Sequence, residues 1–194
     1  MRYMILIAML MCLPVRGEAW QVVCANGGGC NPAENEIGIR DVGGTNWSRS
    51  DSAAVIFRFQ ADCSGPLNAA NIYHNATEST NIKIAVYNST TTSPSTDTGM
   101  SLVGYTGAVS SGGSVGWKSG AVPGGNVVAG NYYWVVAVVS GANWVLVRDA
   151  TATTYWYNAI DEKTLYAAFP STLGQSNWSS EGWTRPSIYV SIGN

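Results

Sequence analysis

The sequence predicts an all-β protein, a single antiparallel β-sandwich of jelly-roll type, on the strength of three observations. Apolar residues recur with a period of two in several short segments. Tracts rich in Gly, Ser, Thr and Pro separate those segments, and helix signals are almost absent. Many short strands joined by Gly-rich turns are typical of sandwiches and jelly rolls, here with long loops and at most one or two short helices.

Four segments give the clearest strand patterns. Segment 53–59 alternates at its end, and segment 82–87 carries β-branched residues at even positions only, which gives one apolar face. Segment 132–139 is apolar on both faces, as expected for a central strand that is covered on each side. A turn-like Ser-Gly-Ala-Asn connection then leads into 144–148, so 132–148 is predicted to be a hairpin. Further strands are expected at 37–41, 101–105, 113–118, 153–158 and 186–192.

Helix and loop predictions follow from the remaining composition. Segment 161–169, stopped by Pro170, favours two helical turns, and 67–76 favours one. Segments 89–99 and 110–126 are expected to be loops within one domain, because strands resume on either side.

The amino terminus predicts export. Arg2 precedes an apolar run over 4–13, and small residues lie one and three positions before Trp20, so 1–19 is expected to be a secretion signal and 20–194 a single domain. We therefore expect a secreted protein, extracellular or periplasmic, with no membrane insertion. The net charge of −2 and the lack of a basic patch argue against a nucleic-acid partner.

Three cysteines remain after residue 19, and an oxidising compartment favours one bridge among them. Cys24 and Cys30 flank a flexible Ala-Asn-Gly-Gly-Gly segment, and we favour that pair, with either pairing to Cys63 as the alternative.

No metal site or cofactor is predicted from the residue spacing. His74 is the only histidine, and the cysteine spacing fits no zinc pattern. A structural Ca²⁺ ion held by Asp149, Asp161 or Glu162 is an alternative, although the sequence contains no acidic loop with ligand spacing.

The sequence raises two catalytic interpretations, a serine hydrolase and a glycoside hydrolase, but no catalytic residue is assigned. Segment 112–116 matches G-x-S-x-G around Ser114, but the following segment cannot hold the helix that a nucleophile elbow needs. His74 precedes the serine, and an order of His74, Asp97 and Ser114 would be compressed relative to the proteases that use it. Glycoside hydrolysis needs two facing carboxylates. Nothing in the sequence pairs the acidic residues near the aromatic region, which are Asp149, Asp161, Glu162 and Glu181.

Aromatic residues concentrate between positions 144 and 189. A strand over 155–157 sends Trp156 to one face and Tyr155 and Tyr157 to the other. Trp178 and Trp183 lie in a Ser/Gly/Asn-rich stretch that is predicted to be loop. These rings could form a platform for sugar C–H faces, with Glu181 as a hydrogen-bonding partner, or could instead fold down over the ends of the sandwich. Trp134, Trp144 and Tyr189 are expected in the core, and Trp47 and Trp117 are undecided.

Three motifs carry a resemblance to a known kind of module. Segment 82–87 ends in Val-Tyr, segment 129–133 reads Ala-Gly-Asn-Tyr-Tyr, and segment 186–189 reads Pro-Ser-Ile-Tyr. With this pattern the chain resembles the jelly-roll modules of secreted microbial proteins, which are of the carbohydrate-binding-module type. The resemblance implies a β-sandwich fold and a polysaccharide or other glycan as partner.

Two classes of function remain after these arguments. The first is a secreted non-catalytic binding module that recognises carbohydrate through Tyr155, Trp156, Tyr157, Trp178, Trp183 and Glu181. The second is an extracellular structural subunit that assembles with itself and uses the same aromatic residues as a protein–protein interface. A glycoside hydrolase is a minor alternative.

Overall fold

The structure is a computed structural model that describes residues 35–50, 54–77, 79–91, 99–140, 143–159, 162–174 and 178–193. Several stretches are described by their backbone alone, namely 47, 49–50, 143–144, 149–159, 162–164 and 178–185. The predicted signal segment 1–19 and the favoured disulfide between Cys24 and Cys30 lie outside the described residues.

Strands make up most of the described residues, and the only helix among them has six residues, which confirms the predicted fold class. The elements, in chain order, are β1 (Glu36–Gly38), β2 (Thr45–Ser50), β3 (Ala54–Gln60), β4 (Gly65–His74), β5 (Asn81–Asn88), β6 (Met100–Tyr105), β7 (Val109–Ser110), β8 (Gly116–Ala121), β9 (Asn126–Val127), β10 (Tyr132–Val139), β11 (Asn143–Ala159), α1 (Glu162–Ala167), β12 (Thr172–Leu173), β13 (Trp178–Pro186) and β14 (Ile188–Ile192).

The strands form two antiparallel sheets that pack face to face. Sheet I has the order β12-β6-β5-β10-β3-β11-β13, and sheet II has the order β1-β14-β4-β8. The long strand β11 joins them: its first part pairs with β2 and meets the end of β4, and its last part pairs with β3. Inward-facing side chains of both sheets form one buried apolar cluster, which includes Ile37, Val55, Phe57, Leu67, Ile72, Ile84, Val86, Val135, Ile188 and Val190.

Two long ribbons bend from one sheet into the other. Segment 132–148 pairs in turn with β3 and β2, so that Val55 lies opposite Ala137 and Ser50 lies opposite Asn143. Segment 65–88 pairs in the same way with segment 100–121: β5 pairs with β6, and β4 pairs with β8. The predicted hairpin over 132–148 is therefore wrong, because in the described backbone β10 and β11 do not pair with each other. Bent ribbons of this kind give the sandwich its jelly-roll character.

Strand β10 is buried on both faces, as its sequence predicts. Its odd-numbered residues face the inter-sheet core. Its even-numbered residues, which include the fully buried Trp134, pack in a second core on the outer face of sheet I. This second core lies under α1 and the chain that follows it, where Lys83 on β5 donates a 2.6 Å hydrogen bond to the carbonyl oxygen of Tyr166. The outer face of sheet I is therefore covered over the described side chains of β3, β5 and β10.

Other predictions have mixed outcomes. The helix expected over 161–169 is present as α1, whereas the helical turn expected over 67–76 is wrong because those residues belong to β4. The expected loop over 110–126 contains strand β8. No helix in the described part of the chain has the length and apolar character needed to cross a membrane.

Candidate binding face

Sheet II has an outward face that contrasts with the covered outer face of sheet I. On β14 the side chains of Ile188, Val190 and Ile192 are buried in the core, so Tyr189 and Ser191 point outward. On β4 the same alternation turns Tyr73 outward. Aromatic rings are thereby brought to a surface that is partly exposed to solvent.

Three of these outward rings form what we call the Trp117 cluster, which consists of Tyr73, Trp117 and Tyr189. The ring centroid of Trp117 lies 5.5 Å from that of Tyr73 and 5.1 Å from that of Tyr189, with interplanar angles of 84° and 70°. Both contacts are edge-to-face, the geometry that the aromatic quadrupole favours. Tyr73 and Trp117 are also direct cross-strand partners, so strand register fixes the cluster.

An ion pair borders the Trp117 cluster on the side of β1. The guanidinium carbon of Arg40 lies 4.6 Å above the ring centroid of Tyr189. Its Nε donates to Glu36 Oε2 at 2.8 Å, and its Nη2 lies 2.7 Å from the same oxygen. The Arg40 side chain is 53% exposed and that of Glu36 is 16% exposed.

The carboxylate of Glu36 is partly desolvated, and this changes its pKa. Burial raises the pKa of Glu36 above its ordinary value, with Asp62 and Asp41 adding to the increase, while Arg40 opposes it. The hydrogen bond to Glu36 raises the pKa of Arg40, which remains a cation at all physiological pH values.

Small side chains adjoin the rings. One cross-strand row of the outward face runs from Glu36 through Ser191 and Ala69 to Ala121. Because these residues after Glu36 are small, the rings of the Trp117 cluster project above a low strip of sheet that leads to the carboxylate of Glu36. In the described residues this face therefore combines rings, a flat strip and one hydrogen-bonding pair.

A second stacked arginine has a different setting. Arg58 on β3 lies on the outer face of sheet I, with its guanidinium carbon 4.0 Å from the ring centroid of Tyr132. It is almost wholly buried and donates to Ser89 Oγ and to the carbonyl oxygen of Thr91. Arg58 thus ties a loop to the sheet, whereas Arg40 borders an open face.

The aromatic residues singled out from the sequence lie on the other sheet. Tyr155, Trp156 and Tyr157 belong to β11. Trp178, Glu181 and Trp183 belong to β13, so the predicted loop around the two tryptophans is wrong. The register pairs Tyr155 with Trp183, Ala159 with Trp178, and Trp156 with the core residue Phe57. Their side chains, like that of Trp144, lie outside the described residues, so their role as a binding surface stays a prediction.

Sequence reasoning missed the Trp117 cluster. Tyr189 was expected in the core, which is wrong, because its even-numbered neighbours on β14 occupy the inward face. The apolar–polar alternation of 188–192 carried that signal. Tyr73 fell in a segment predicted as helical, and Trp117 was left undecided.

The serine motif does not form a nucleophile elbow. Ser114 is in a turn and is followed by strand β8 where a hydrolase elbow requires a helix. Its Oγ accepts a 2.9 Å hydrogen bond from Lys118 Nζ. His74 is fully buried on the inward side of β4, and Asp97 lies outside the described residues.

The described acidic residues do not form a metal site. No group of three or more His, Cys, Asp or Glu side chains that could hold a metal ion is present among the described residues. The side chains of Asp149, Asp161, Glu162 and Glu181, which were weighed for calcium or for glycoside hydrolysis, lie outside that part of the chain.

The chain matches no protein-family model and no curated protein. The resemblance to carbohydrate-binding modules therefore rests on its own motifs.

Proposed function

We propose that the protein is a secreted, non-catalytic module that binds carbohydrate through aromatic side chains, and that the Trp117 cluster is part of its binding face. The observation that carries the proposal is the position of three packed rings on an outward sheet face, beside an accessible ion pair. The resemblance of the motifs to carbohydrate-binding modules supports the same function.

The chemistry of the face suits a sugar. Sugar rings present apolar C–H patches that pack on aromatic rings, and hydroxyl groups that need both donors and acceptors. The Trp117 cluster offers the aromatic surface, and Glu36 and Arg40 offer an acceptor and a donor at its border. The strip of small side chains beside the rings, formed by Ser191, Ala69 and Ala121, leaves room for a flat ligand.

The aromatic residues of β11 and β13 form a second candidate surface. They lie toward the β13 edge of sheet I, so they would bind a glycan separately from the Trp117 cluster. Single substitutions at Tyr155 and Trp183, which are cross-strand partners, test that surface independently.

The test is affinity electrophoresis against a panel of soluble polysaccharides, with intrinsic fluorescence as a second readout. We expect wild-type protein to be retarded by at least one polysaccharide and Trp117→Ala to lose most of that retardation. Tyr105→Ala is the matched control, because Tyr105 is a 50% exposed aromatic residue on sheet I. Binding that is unchanged in Trp117→Ala would remove the cluster from the binding face.

The same variants separate binding from self-assembly. If wild-type protein is oligomeric by light scattering and Trp117→Ala is monomeric, with no polysaccharide bound by either, the face is a subunit interface. That result would favour the extracellular structural subunit over the carbohydrate-binding module.

A further inference from the structure

In the ion pair at the border of the Trp117 cluster, Arg40 contacts only one of the two carboxylate oxygens of Glu36. Both contacts between Arg40 and Glu36 converge on Glu36 Oε2, from Arg40 Nε and Arg40 Nη2. Among the described residues, Glu36 Oε1 and Arg40 Nη1 take no other hydrogen bond. Glu36 Oε1 and the N–H groups of Arg40 that do not face Glu36 therefore remain as an acceptor and donors near the ring of Tyr189.

Resting on the proposed function, we propose that Glu36 and Arg40 bind two adjacent hydroxyl groups of an uncharged sugar whose ring packs near Tyr189. One hydroxyl donates to Glu36 Oε1, and its neighbour accepts from an N–H group of Arg40 that does not face Glu36. Vicinal hydroxyls match such an acceptor–donor pair because each can donate or accept a hydrogen bond. The ligand class is thus a neutral polysaccharide.

Local charge disfavours an acidic glycan at this corner. The charges of Asp41 and Asp62 raise the pKa of Glu36 in the same direction as its burial, whereas Arg40 lowers it. A uronic acid at this position would bring a further negative charge toward the carboxylate of Glu36. A neutral sugar brings hydroxyls without that repulsion.

The pair is held in place before any ligand arrives. The planar guanidinium of Arg40 lies over the ring of Tyr189 while two of its nitrogens contact the carboxylate of Glu36. Little side-chain freedom remains to be lost on binding, which lowers the entropic cost of recognition. Because Glu36 is mostly buried, a hydroxyl that donates to it makes a charge-assisted bond in a partly dry site.

The experiment measures dissociation constants for soluble neutral polysaccharides (mannan, xyloglucan, mixed-linkage glucan) and acidic ones (polygalacturonate, alginate). We expect wild-type protein to prefer a neutral polysaccharide, and Glu36→Gln and Arg40→Gln each to weaken its binding about tenfold. Glu36→Asp, which keeps the charge but withdraws it by one methylene, should fall between. Thermal unfolding of each variant verifies that the fold is retained, and Tyr105→Ala serves as the unaffected control.

The pH profile is a further readout of Glu36. Binding by wild-type protein should weaken as the pH falls through the raised pKa of Glu36, because the protonated acid no longer accepts as strongly. In Glu36→Gln that dependence should disappear. The charged and titratable groups that act on this ion pair are Asp41, Asp62 and, on β14, Tyr189.

The outcomes distinguish this inference from the proposed function. Preference for an acidic polysaccharide, or unchanged affinity in Glu36→Gln when Trp117→Ala loses binding, would overturn the role of the pair and leave the carbohydrate-binding function standing. Absence of binding to every polysaccharide would overturn both.

Discussion

Gly38 is the cross-strand partner of Tyr189, and the backbone of β14 occupies the space where a side chain at Gly38 would lie. A Cβ there would overlap the carbonyl oxygen of Ile188 and come within 2.8 Å of the Cα of Tyr189. Gly38 also has a φ of 118°, which side-chain-bearing residues rarely adopt. Just beyond it, the N–H of Ile39 donates to Ile188 at 2.6 Å, and the chain then carries Arg40 over the ring of Tyr189.

Gly38→Ala should therefore destabilise the protein by more than about 1 kcal/mol, since both the contact and the backbone conformation are unfavourable for alanine. Chemical denaturation measures the free energy of unfolding. Gly44→Ala is the matched control, because a Cβ at Gly44 meets nothing within 4 Å. Equal stabilities of the two variants would show that the close approach of β1 to β14 is not needed.

Arg58 and Arg40 both stack on tyrosine rings, but only Arg58 is buried, and this difference predicts different costs for the same substitution. Arg58→Lys should lower the free energy of unfolding by about 1–3 kcal/mol, because an ammonium cannot keep the planar stacking and also donate to Ser89 and Thr91. Arg40→Lys should change it by no more than about 0.5 kcal/mol. Denaturant unfolding of the two variants compares them, and similar losses would contradict the structural role of Arg58.

Leu165 attaches α1 to the outer face of sheet I, where it packs in the second core with Trp134. Leu165→Ala should cost about 2–4 kcal/mol, because it removes buried apolar atoms and leaves a cavity beneath the helix. Ala167, the last residue of α1, is exposed, so Ala167→Ser should leave stability almost unchanged. Thermal unfolding distinguishes the two, and a small effect at Leu165 would mean that α1 is only loosely attached.

The sequence predicts the burial of side chains better than it predicts which strands pair. The apolar character of both faces of 132–139 predicted a doubly covered strand, and the even–odd pattern of 82–87 predicted the two faces of β5, because burial follows from local residue type. The Ser-Gly-Ala-Asn connection at 140–143 predicts a hairpin turn, because these residue types favour turns locally. The hairpin is ruled out by the pairing of β10 with β3 and of β11 with β2, and both partner strands are distant in sequence.

The candidate site shows the same limit. Ser, Gly and Asn around Trp178 and Trp183 favour loop locally, but pairing with β11 makes the segment a strand, as tertiary context can override propensity. The apolar–polar alternation of 188–192 indicates that Tyr189 points outward. The contact between Tyr189 and Trp117 required the strand order β14-β4-β8, which no local pattern encodes.

Tyr87 predicts how stability should change at alkaline pH. Its ring is fully buried in the second core, its Oη donates to the carbonyl oxygen of Pro170 at 3.0 Å, and burial raises its pKa well above the ordinary value of 10.0. The folded state therefore keeps this phenol protonated at pH values where the unfolded chain ionises it. Its contribution to stability is complete below about pH 10 and is lost as the pH rises beyond that value.

Tyr87→Phe should consequently have two effects of different pH dependence. At pH 8 it should cost about 1 kcal/mol, because the carbonyl of Pro170 loses its donor. Between pH 9 and pH 11 the free energy of unfolding should fall less steeply than in wild-type protein, because the unfolded chain no longer ionises a phenol that the folded chain keeps protonated. Urea denaturation across that range measures both, with the exposed Tyr105→Phe as control. Parallel pH profiles for wild-type and Tyr87→Phe proteins would show that the Tyr87 hydroxyl ionises as readily in the folded chain as in the unfolded one.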